Sequence, residues 1–425
     1  MLGLLVQDGW QPVEDPSKAT VIIINTCSFI ESAKVESVDH ILDAARLKEQ
    51  NDSVKLVVTG CLPQRYQESL VSELPEVDLF VGTDEFPKIS ILLKKIFIQT
   101  QEDSKLIAER TNYIYGAELP RINTQTPGSA YVKIAEGCEH RCSFCIIPQI
   151  RGPLRSRSIE SIIKEVERLA VSGVIEINLI AQDLTAFGRE KKDDTENLTN
   201  LLRALVKIPD LRWVRLLYAY PEHIDNQLLA LMQSESKIVK YLDIPIQHAN
   251  LRILKDMGRG ITPESLRETI QKVRSAVPGI ALRTSVMVGF PGETDEEFFD
   301  LRNFLVEAKF EHLGCFTYSQ EEGTRAATFP NQIERKIKEK RFVEIMKLQR
   351  KISKENLKKY RKKSLPVLIE GPHEDTPLLW KGRLETQAPE VDGSVIINDG
   401  TPKPGQIFQV KITETRDYDL IGALV

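Results

Sequence analysis

The sequence predicts an α/β protein with three folded regions, and three observations predict it. Short β-branched runs alternate with helical segments up to about residue 98, and the alternation resumes more regularly over residues 130–333. The last sixty residues change to short strands separated by Gly/Pro turns. The first two patterns are typical of parallel sheets covered by helices, and the third predicts a small antiparallel β-barrel.

Composition limits the class of protein. The chain has 425 residues, of which 41% are hydrophobic and 28% charged, as in ordinary globular proteins. Its apolar runs are too short to span a bilayer and it has no signal peptide, so no membrane partner is expected. We therefore expect a cytoplasmic protein, in which thiols stay reduced and clustered cysteines indicate a metal site rather than disulfides.

The first region, residues 1–98, predicts a small parallel α/β domain. We expect strands at 21–25, 55–60 and 77–82, with helices near 30–49, 63–74 and 84–97. Residues 1–6, "MLGLLV", look like the interior of a helix, so we expect a truncated domain that lacks its first strand. The polar, proline-containing stretch 99–129 predicts a linker.

The second region, residues 130–333, predicts an incomplete barrel of six βα units rather than the closed barrel of eight. We expect strands at 130–137, 174–182, 212–221, 240–248, 281–290 and 312–319. Since active sites of such folds lie at the carboxyl ends of the strands, the segment after the first strand is where we expect chemistry.

The remaining chain is divided by charge. Residues 334–363 predict a connecting helix with fourteen Lys/Arg and four Asp/Glu, a net charge of +10. Residues 364–425 predict the five-stranded barrel, which has five Lys/Arg and ten Asp/Glu, a net charge of −5. A basic helix followed by an acidic module favours a composite partner over a uniform polyanion.

Half of the six cysteines lie in one short stretch, "CEHRCSFC" at 138–145. Cys138, Cys142 and Cys145 can supply three thiolates to a 4Fe-4S cluster and leave the fourth iron open for an exogenous ligand. The alternative is a zinc site with His140 as the fourth ligand. The position after a first barrel strand favours iron and sulfur.

The motif C-x3-C-x2-C, with Phe144 before its last cysteine, resembles that of the radical S-adenosylmethionine superfamily. The resemblance implies that S-adenosylmethionine chelates the open iron and is cleaved by one electron to a 5′-deoxyadenosyl radical that abstracts hydrogen. It also makes Phe144 a candidate cofactor-binding residue. The protein's part would be binding, orientation and exclusion of side reactions.

Two further motifs, "NTCSFIESAK" and "VTGCLPQ", extend the resemblance. Together with the radical barrel and a terminal barrel of the TRAM kind, they resemble the methylthiotransferase family. That family implies a second, auxiliary 4Fe-4S cluster on three cysteines, of which Cys27 and Cys61 match two. Taken singly, each is more often a buried small hydrophobe. The third ligand is expected upstream of Met1, so the auxiliary cluster would be incomplete in this chain, and Cys315 looks like a core residue.

Three segments resemble the branch of that family that modifies an aspartate of the small-subunit ribosomal protein S-twelve. They are "AQDLTAFG" (181–188), where the tRNA-modifying branch typically has Asn in place of Asp183, "YLDIPIQH" (241–248) and "APEVDG" (388–393). The implied partners are that protein, a reductant such as flavodoxin or ferredoxin, and ribosomal RNA at the basic helix. The alternatives are a tRNA adenosine methylthiotransferase and a ribosome-docking protein with impaired sulfur insertion.

Other candidate site residues follow predicted strands. Gln182 and Asp183 end the second barrel strand and are candidate catalytic residues. Candidate cofactor-binding residues are Gly289 and Gly292 in "VGFPGE", and Arg155 and Arg157 in "LRSRS". Gln247 and His248 end the fourth strand, where His248 is equally a hydrogen-bonded structural histidine or a substrate contact.

Overall fold

The computed structural model describes residues 1–51, 53–98, 105–107 and 112–425, which form two compact units. Unit 1 contains the described residues of 1–123, 136–155 and 319–327, and unit 2 contains 124–135, 156–318 and 328–425. The segment with Cys138, Cys142 and Cys145 therefore groups with the N-terminal region. Among the described residues, no helix is long and apolar enough to cross a membrane.

Unit 1 is built on a four-stranded parallel sheet, which confirms the predicted α/β class. The strands, in sheet order, are β1 (Val21–Thr26), β2 (Lys55–Gly60), β3 (Leu79–Val81) and β4 (Lys105–Leu106). The helices are α1 (Leu2–Gln7), α2 (Glu31–Gln50), α3 (Cys61–Glu73) and α4 (Ile89–Ile96). Strand β4 lies within the stretch expected to be a linker and pairs with β3, so part of that stretch is sheet.

Both faces of this sheet are buried, which explains its continuous apolar runs. Leu56 and Val58 of β2 pack with Ile41 of α2 on one face. Val57, between them, points to the other face and packs with Leu5 and Leu93. The two-residue period of a strand therefore fixes which helix covers which face.

Unit 2 contains a six-stranded parallel sheet, as the incomplete barrel required. Its strands, in sheet order, are β5 (Ser129–Lys133), β8 (Glu176–Ile180), β9 (Trp213–Leu216), β10 (Ile238–Asp243), β11 (Ala281–Val288) and β12 (His312–Thr317). Most of these strands end before the predicted position. Tyr218 and Gln247 have a φ of 68°, and residues with positive φ do not continue a strand. The residues that were predicted to extend these strands therefore lie in the loops at the carboxyl ends of the sheet.

The helices that follow the first five strands of this sheet begin at polar caps. They are α6 (Ile159–Val171), α7 (Leu198–Leu205), α8 (Asn226–Ser234), α9 (Leu251–Asp256), α10 (Pro263–Ala276) and α11 (Asp295–Ala308). Each follows a Ser, Thr, Asn or Asp whose side chain accepts a hydrogen bond from the first turn. The segment 136–155 of unit 1 is flanked by the short paired strands β6 (Ala135–Glu136) and β7 (Arg155–Ser156) and contains α5 (Ile147–Arg151).

The basic helix and the terminal barrel both lie in unit 2. Helix α12 spans Arg335–Leu357. The barrel is closed and its strands are β13 (Ser364–His373), β14 (Thr376–Leu384), β15 (Val395–Asp399), β16 (Ile407–Thr415) and β17 (Leu420–Leu424). Its order is β13-β14-β15-β17-β16, and the β15–β17 pairing is parallel while the others are antiparallel. The predicted five-stranded barrel is confirmed, with one parallel pairing.

A buried carboxylate joins the terminal barrel to the six-stranded sheet. Glu176, the first residue of β8, is fully buried and accepts hydrogen bonds from Ser129 (2.8 Å), Arg215 (3.0 Å) and Arg383 of β14 (2.8 Å). Burial by itself raises the pKa of Glu176, but Arg383 and Arg215 outweigh burial and hold the pKa at about 2. These three charged groups are thus part of the core, where removing one partner is costly.

Residues 385–392, which follow β14, cover the amino-terminal ends of the sheet strands. Ala388 packs with Trp213 and Ala281, the first residues of β9 and β11. Asp392 accepts a hydrogen bond from the Tyr241 hydroxyl at 2.8 Å. The segment "APEVDG" therefore covers the base of the six-stranded sheet, opposite the carboxyl ends at which chemistry is expected.

Replacing Arg383 by Met should lower the free energy of unfolding by about 3–5 kcal/mol, because Glu176 would keep only one cationic partner in the core. The folded-state pKa of Glu176 lies below its ordinary 4.5, so the carboxylate stabilises the protein above pH 4.5. This stabilisation is lost as the pH falls toward 2, and the difference between the two proteins should shrink over the same range. Urea denaturation at several pH values measures it.

The matched control is Arg416→Met, because Arg416 is exposed in the same barrel and pairs with Glu414. It should change the free energy of unfolding by no more than about 0.5 kcal/mol. Equal effects of the two substitutions would contradict the role given to Arg383.

Candidate metal centre

The register of β1 against β2 brings Cys27 and Cys61 together in unit 1. Thr26 pairs with Gly60, so the cysteines that follow them leave adjacent parallel strands at the same edge. Gly60 has a φ of 103°, and a Cβ there would lie 2.6 Å from the Thr26 carbonyl oxygen. The Thr26 hydroxyl donates to Thr59 O (2.7 Å) and accepts from Leu62 N (3.2 Å). These contacts fix the backbone on both sides of the cysteine pair.

The surroundings of this pair fit an iron–sulfur group. Cys27 is exposed and Cys61 is buried. The Ser28 hydroxyl is fully buried and has no hydrogen-bond partner among the described residues. Two thiols and an unsatisfied hydroxyl donor suit a cluster whose sulfurs accept hydrogen bonds. The chain's other four cysteines are those of the 138–145 motif and Cys315.

Cys138, Cys142 and Cys145 share one loop between β6 and α5, and all three are partly buried. Cys145 N donates to Cys142 O at 3.2 Å, and Cys138 N donates to Gly152 O at 3.1 Å. The loop is therefore a compact turn that carries three thiols. This donor set fits a cluster with three protein ligands and one open iron.

Arg151, which sequence reasoning missed, links the two groups of cysteines. It is the last residue of α5, and its Nη2 lies 3.1 Å from Cys61 Sγ. Its Nη1 lies 3.4 Å from Glu136, two residues before Cys138. Burial raises the pKa of the Cys61 thiol, and the Arg151 guanidinium opposes that rise. The signal in the sequence that could have identified Arg151 is its position just before the glycine of "IPQIRG".

Residues 319–327, also in unit 1, connect the motif loop with the N-terminal helices. Glu321 is buried and accepts from Arg65 (2.7 Å) and Lys34 (3.0 Å) of α3 and α2. Ala326 N donates to Ser143 O at 2.8 Å, and Gln149 donates to Gly323 O at 2.7 Å. The segment thus holds the motif loop and the two helices in one unit. Sequence reasoning missed it because it follows the last sheet strand.

Asp183 and Gln182 lie at the carboxyl end of β8 in unit 2, as predicted. Asp183 is buried, accepts from Thr185 N at 2.9 Å and lies 3.3 Å from His223 Nδ1. A cavity of about 430 Å³ beside it is lined by residues that include Thr185, Lys191, His223 and Asp225. The catalytic assignment of Asp183 and Gln182 stays a prediction.

The two arginines of "LRSRS" have local partners. Arg155 donates to the carbonyls of Tyr113, Arg151 and Pro153 at 2.9–3.3 Å. Arg157 is buried and forms an ion pair with Glu165. These contacts hold the backbone of the segment and the first barrel unit, and cofactor binding by Arg155 and Arg157 stays a prediction. Phe144 lies partly buried in the motif loop, and its contact with cofactor stays a prediction.

The turn after β11 is held tightly, which bears on Gly289 and Gly292. Gly289 has a φ of 73°, and a Cβ there would lie 2.3 Å from Lys338 Cγ, so its missing side chain makes room for α12. Gly292 N donates to Asn331 O at 2.8 Å. Glu293 accepts from Gly289 N (2.9 Å) and Arg341 (2.7 Å). Burial raises the pKa of Glu293 to about 7 against the opposing effect of Arg341.

His248 is a structural histidine. It is fully buried, its Nδ1 accepts from Asn250 N at 3.0 Å, and burial lowers its pKa to about 3, so the ring is neutral. Cys315 lies in β12 as a core residue, and burial raises its pKa to about 12. Gln247 has a φ of 68° and forms an isolated bridge with Val286 of β11, four residues after β10 ends at Asp243.

Three families match successive parts of the chain. Residues 132–305 match the family described as "Radical SAM superfamily", and residues 363–425 match "TRAM domain". Residues 1–82 match "Uncharacterized protein family UPF0004". The radical superfamily match favours iron and sulfur over zinc, and the assignment of Cys138, Cys142 and Cys145 as the cluster ligands stays a prediction.

Whole-length relatives are also found. A protein of Pelobacter propionicus, "Ribosomal protein uS12 methylthiotransferase RimO", is 46% identical over 424 residues, which cover 100% of this chain and 94% of that protein. The protein of that name from Syntrophotalea carbinolica is 47% identical and covered to 93%. The radical S-adenosylmethionine methyltransferase TsrM from Kitasatospora setae has a similar fold, with a TM-score of 0.51 and 16% identity over 69% of this chain and 61% of that one.

Replacing Gly289 by Ala should destabilise the protein through two separable effects. A positive φ costs an L-residue about 1–2 kcal/mol, and the new Cβ would strike the Lys338 side chain. Adding Lys338→Ala should remove the clash with Cγ and leave the backbone strain. Gly289→Ala should therefore lower the free energy of unfolding by less in the Lys338→Ala background than in wild type. Urea denaturation of both single variants and the double variant measures this. A double variant that recovers nothing would contradict the contact between α12 and the turn.

Proposed function

This chain belongs to the ribosomal protein uS12 methylthiotransferase RimO family, and from that premise we propose that it methylthiolates the β-carbon of an aspartate in uS12. The observation that carries the proposal is 45–47% identity to relatives of that name over the whole chain. Neither alternative considered above, modification of tRNA adenosine or docking without sulfur insertion, is favoured by these relatives.

The reaction replaces one carbon-bound hydrogen by an S–CH3 group. One equivalent of S-adenosylmethionine gives its methyl group to sulfur, and a second is cleaved by one electron. When bound, the 4Fe-4S cluster with S-adenosylmethionine supplies the radical that removes the hydrogen. Cys138, Cys142 and Cys145 would hold that cluster, and Phe144, Arg155, Arg157, Gly289 and Gly292 are the proposed cofactor contacts.

Cys27 and Cys61 would hold the auxiliary group from which sulfur is transferred. The proposal is supported by the adjacency of the two cysteines and by the buried Ser28 hydroxyl. It is also supported by the fact that the motif loop belongs to the same unit as the two cysteines. Gln182 and Asp183 are proposed to contact the substrate aspartate. The Thr185 N–H orients one carboxylate oxygen of Asp183, and His223 Nδ1 lies 3.3 Å from the other oxygen.

Further partners belong to the proposal. A flavodoxin- or ferredoxin-type protein would deliver the single electrons that the reaction consumes, and the reaction would occur in the cytoplasm. We also propose a contact between α12 and ribosomal RNA. Four exposed lysines of α12, spaced four or seven residues apart, lie on one face: Lys336, Lys340, Lys347 and Lys351. They form no ion pair among the described residues and span about 22 Å.

The cofactor assignment is tested by exchanging one cysteine of each group in anaerobically reconstituted protein. Cys142→Ala should lose about four irons and all formation of 5′-deoxyadenosine from S-adenosylmethionine. Cys61→Ala should retain 5′-deoxyadenosine formation and lose methylthiolated uS12, because the sulfur-bearing site is separate. Cys315→Ala is the control and should behave as wild type. Cleavage by Cys142→Ala at the wild-type rate would show that the assignment is wrong.

The RNA contact is tested by replacing the four α12 lysines with Gln. Binding to the small ribosomal subunit should weaken, and the slope of log affinity against log salt should become less steep by about 3. Binding to free uS12 should not change. The control carries Gln at four exposed lysines elsewhere: Lys18, Lys95, Lys403 and Lys411. An equal slope for both variants would show that the lysines only face solvent.

A further inference from the structure

We propose that Arg151 is a positioning residue that holds Cys61, and the sulfur-bearing group bound there, against the helix that follows the radical motif. The inference rests on the proposed function in one respect, namely that Cys27 and Cys61 form the sulfur-donating site. It assigns to a residue outside the cysteine motifs the task of keeping the two sites in one arrangement.

The first support is geometric. Cys61 begins α3, where Thr26 and Gly60 fix the backbone, and Arg151 ends α5, six residues after Cys145. The guanidinium reaches Cys61 Sγ at 3.1 Å from Nη2 and Glu136 at 3.4 Å from Nη1. Glu136 precedes Cys138 by two residues, so the chain Glu136–Arg151–Cys61 spans the motif loop from its entry to its exit.

The second support is electrostatic. Cys61 is 8% exposed, and a thiolate or sulfide in so dry a place needs a nearby cation. Two other cations of unit 1, Arg65 and Lys34, are bound to Glu321, and Arg65 also donates to the carbonyls of Ser28 and Glu322. Arg151 is the cation whose hydrogen bond goes to the sulfur. Its side chain is 24% exposed, so solvent screens it little.

The third support is the shape of the side chain. A guanidinium presents separate N–H groups in a fixed plane, so Arg151 can bind a sulfur and a carboxylate together. A lysine ammonium in its place would keep the charge and lose the fixed direction between the two partners. The role therefore predicts that charge and geometry can be separated experimentally.

The test measures the ratio of methylthiolated uS12 to 5′-deoxyadenosine in anaerobically reconstituted full-length protein. Arg151→Gln should keep 5′-deoxyadenosine formation within about twofold of wild type and lower the ratio at least tenfold. Arg151→Lys should lie between the two. Arg46→Gln is the control, because Arg46 is exposed on α2 and pairs with Asp43, and it should change neither quantity.

A second measurement does not depend on turnover. In a Cys142→Ala background reconstituted with excess dithiothreitol, whose thiol can take the third ligand position that Cys27 and Cys61 leave open, only the Cys27–Cys61 site is expected to retain iron. Adding Arg151→Gln should make a chelator remove that iron several times faster. Equal rates of iron loss, or no iron retained by either protein, would overturn the proposal. So would an unchanged product ratio, or loss of 5′-deoxyadenosine formation in both Arg151 variants. Failure of wild type to modify uS12, with faster iron loss from Arg151→Gln, would contradict the proposed function alone.

Discussion

The parallel register of β1 and β2 fixes the geometry on which the cysteine pair depends. Thr26 and Gly60 are partners, so the next residue of each strand, Cys27 and Cys61, must leave the sheet at the same edge. Gly60 can have no side chain there because the Thr26 carbonyl occupies the space. The chemistry of this site is thus set by backbone pairing, and the thiols need no further motif to meet. Arg151 adds a second constraint, because its hydrogen bond to Cys61 holds this thiol against α5.

In unit 2, buried charged groups hold the base of the six-stranded sheet. Glu176 is held between Arg215 and Arg383, and Asp392 is held by Tyr241 and Ala388. Two segments that pointed to the ribosomal-protein branch, "YLDIPIQH" and "APEVDG", therefore contact each other through the Tyr241–Asp392 hydrogen bond. This contact lies at the base of the sheet, because neither Tyr241 nor Asp392 lies at the carboxyl ends of the strands.

Sequence reasoning predicted what periodicity and local spacing determine. The parallel sheets, the six barrel units, the long helix and the terminal barrel follow from apolar patterns and turn residues, and the cysteines follow from spacing. It overextended strands such as β9, because positive φ at Tyr218 is decided by the loop that follows. It did not find Arg151, Glu321 or Arg383, because their partners lie 90, 256 and 207 residues away along the chain. Long-range ion pairs leave no periodic signal.

Net charge counted along the chain gives a poor measure of the field that a partner meets. Five of the ten acidic residues in 364–425 are only partly exposed, and among them Glu370 binds Arg383 while Asp417 binds Arg350 and Lys354 of α12. Ion pairs within the protein thus neutralise much of the net negative charge of the terminal barrel. The positive charge of α12 is not neutralised in this way. Its four lysines Lys336, Lys340, Lys347 and Lys351 are exposed and form no ion pair among the described residues. Salt largely screens charges that lie more than about 10 Å apart, so charges exposed at the contact surface matter most. Electrostatic steering by this protein should therefore come mainly from α12, and the barrel should act through its shape and its contacts with the sheet.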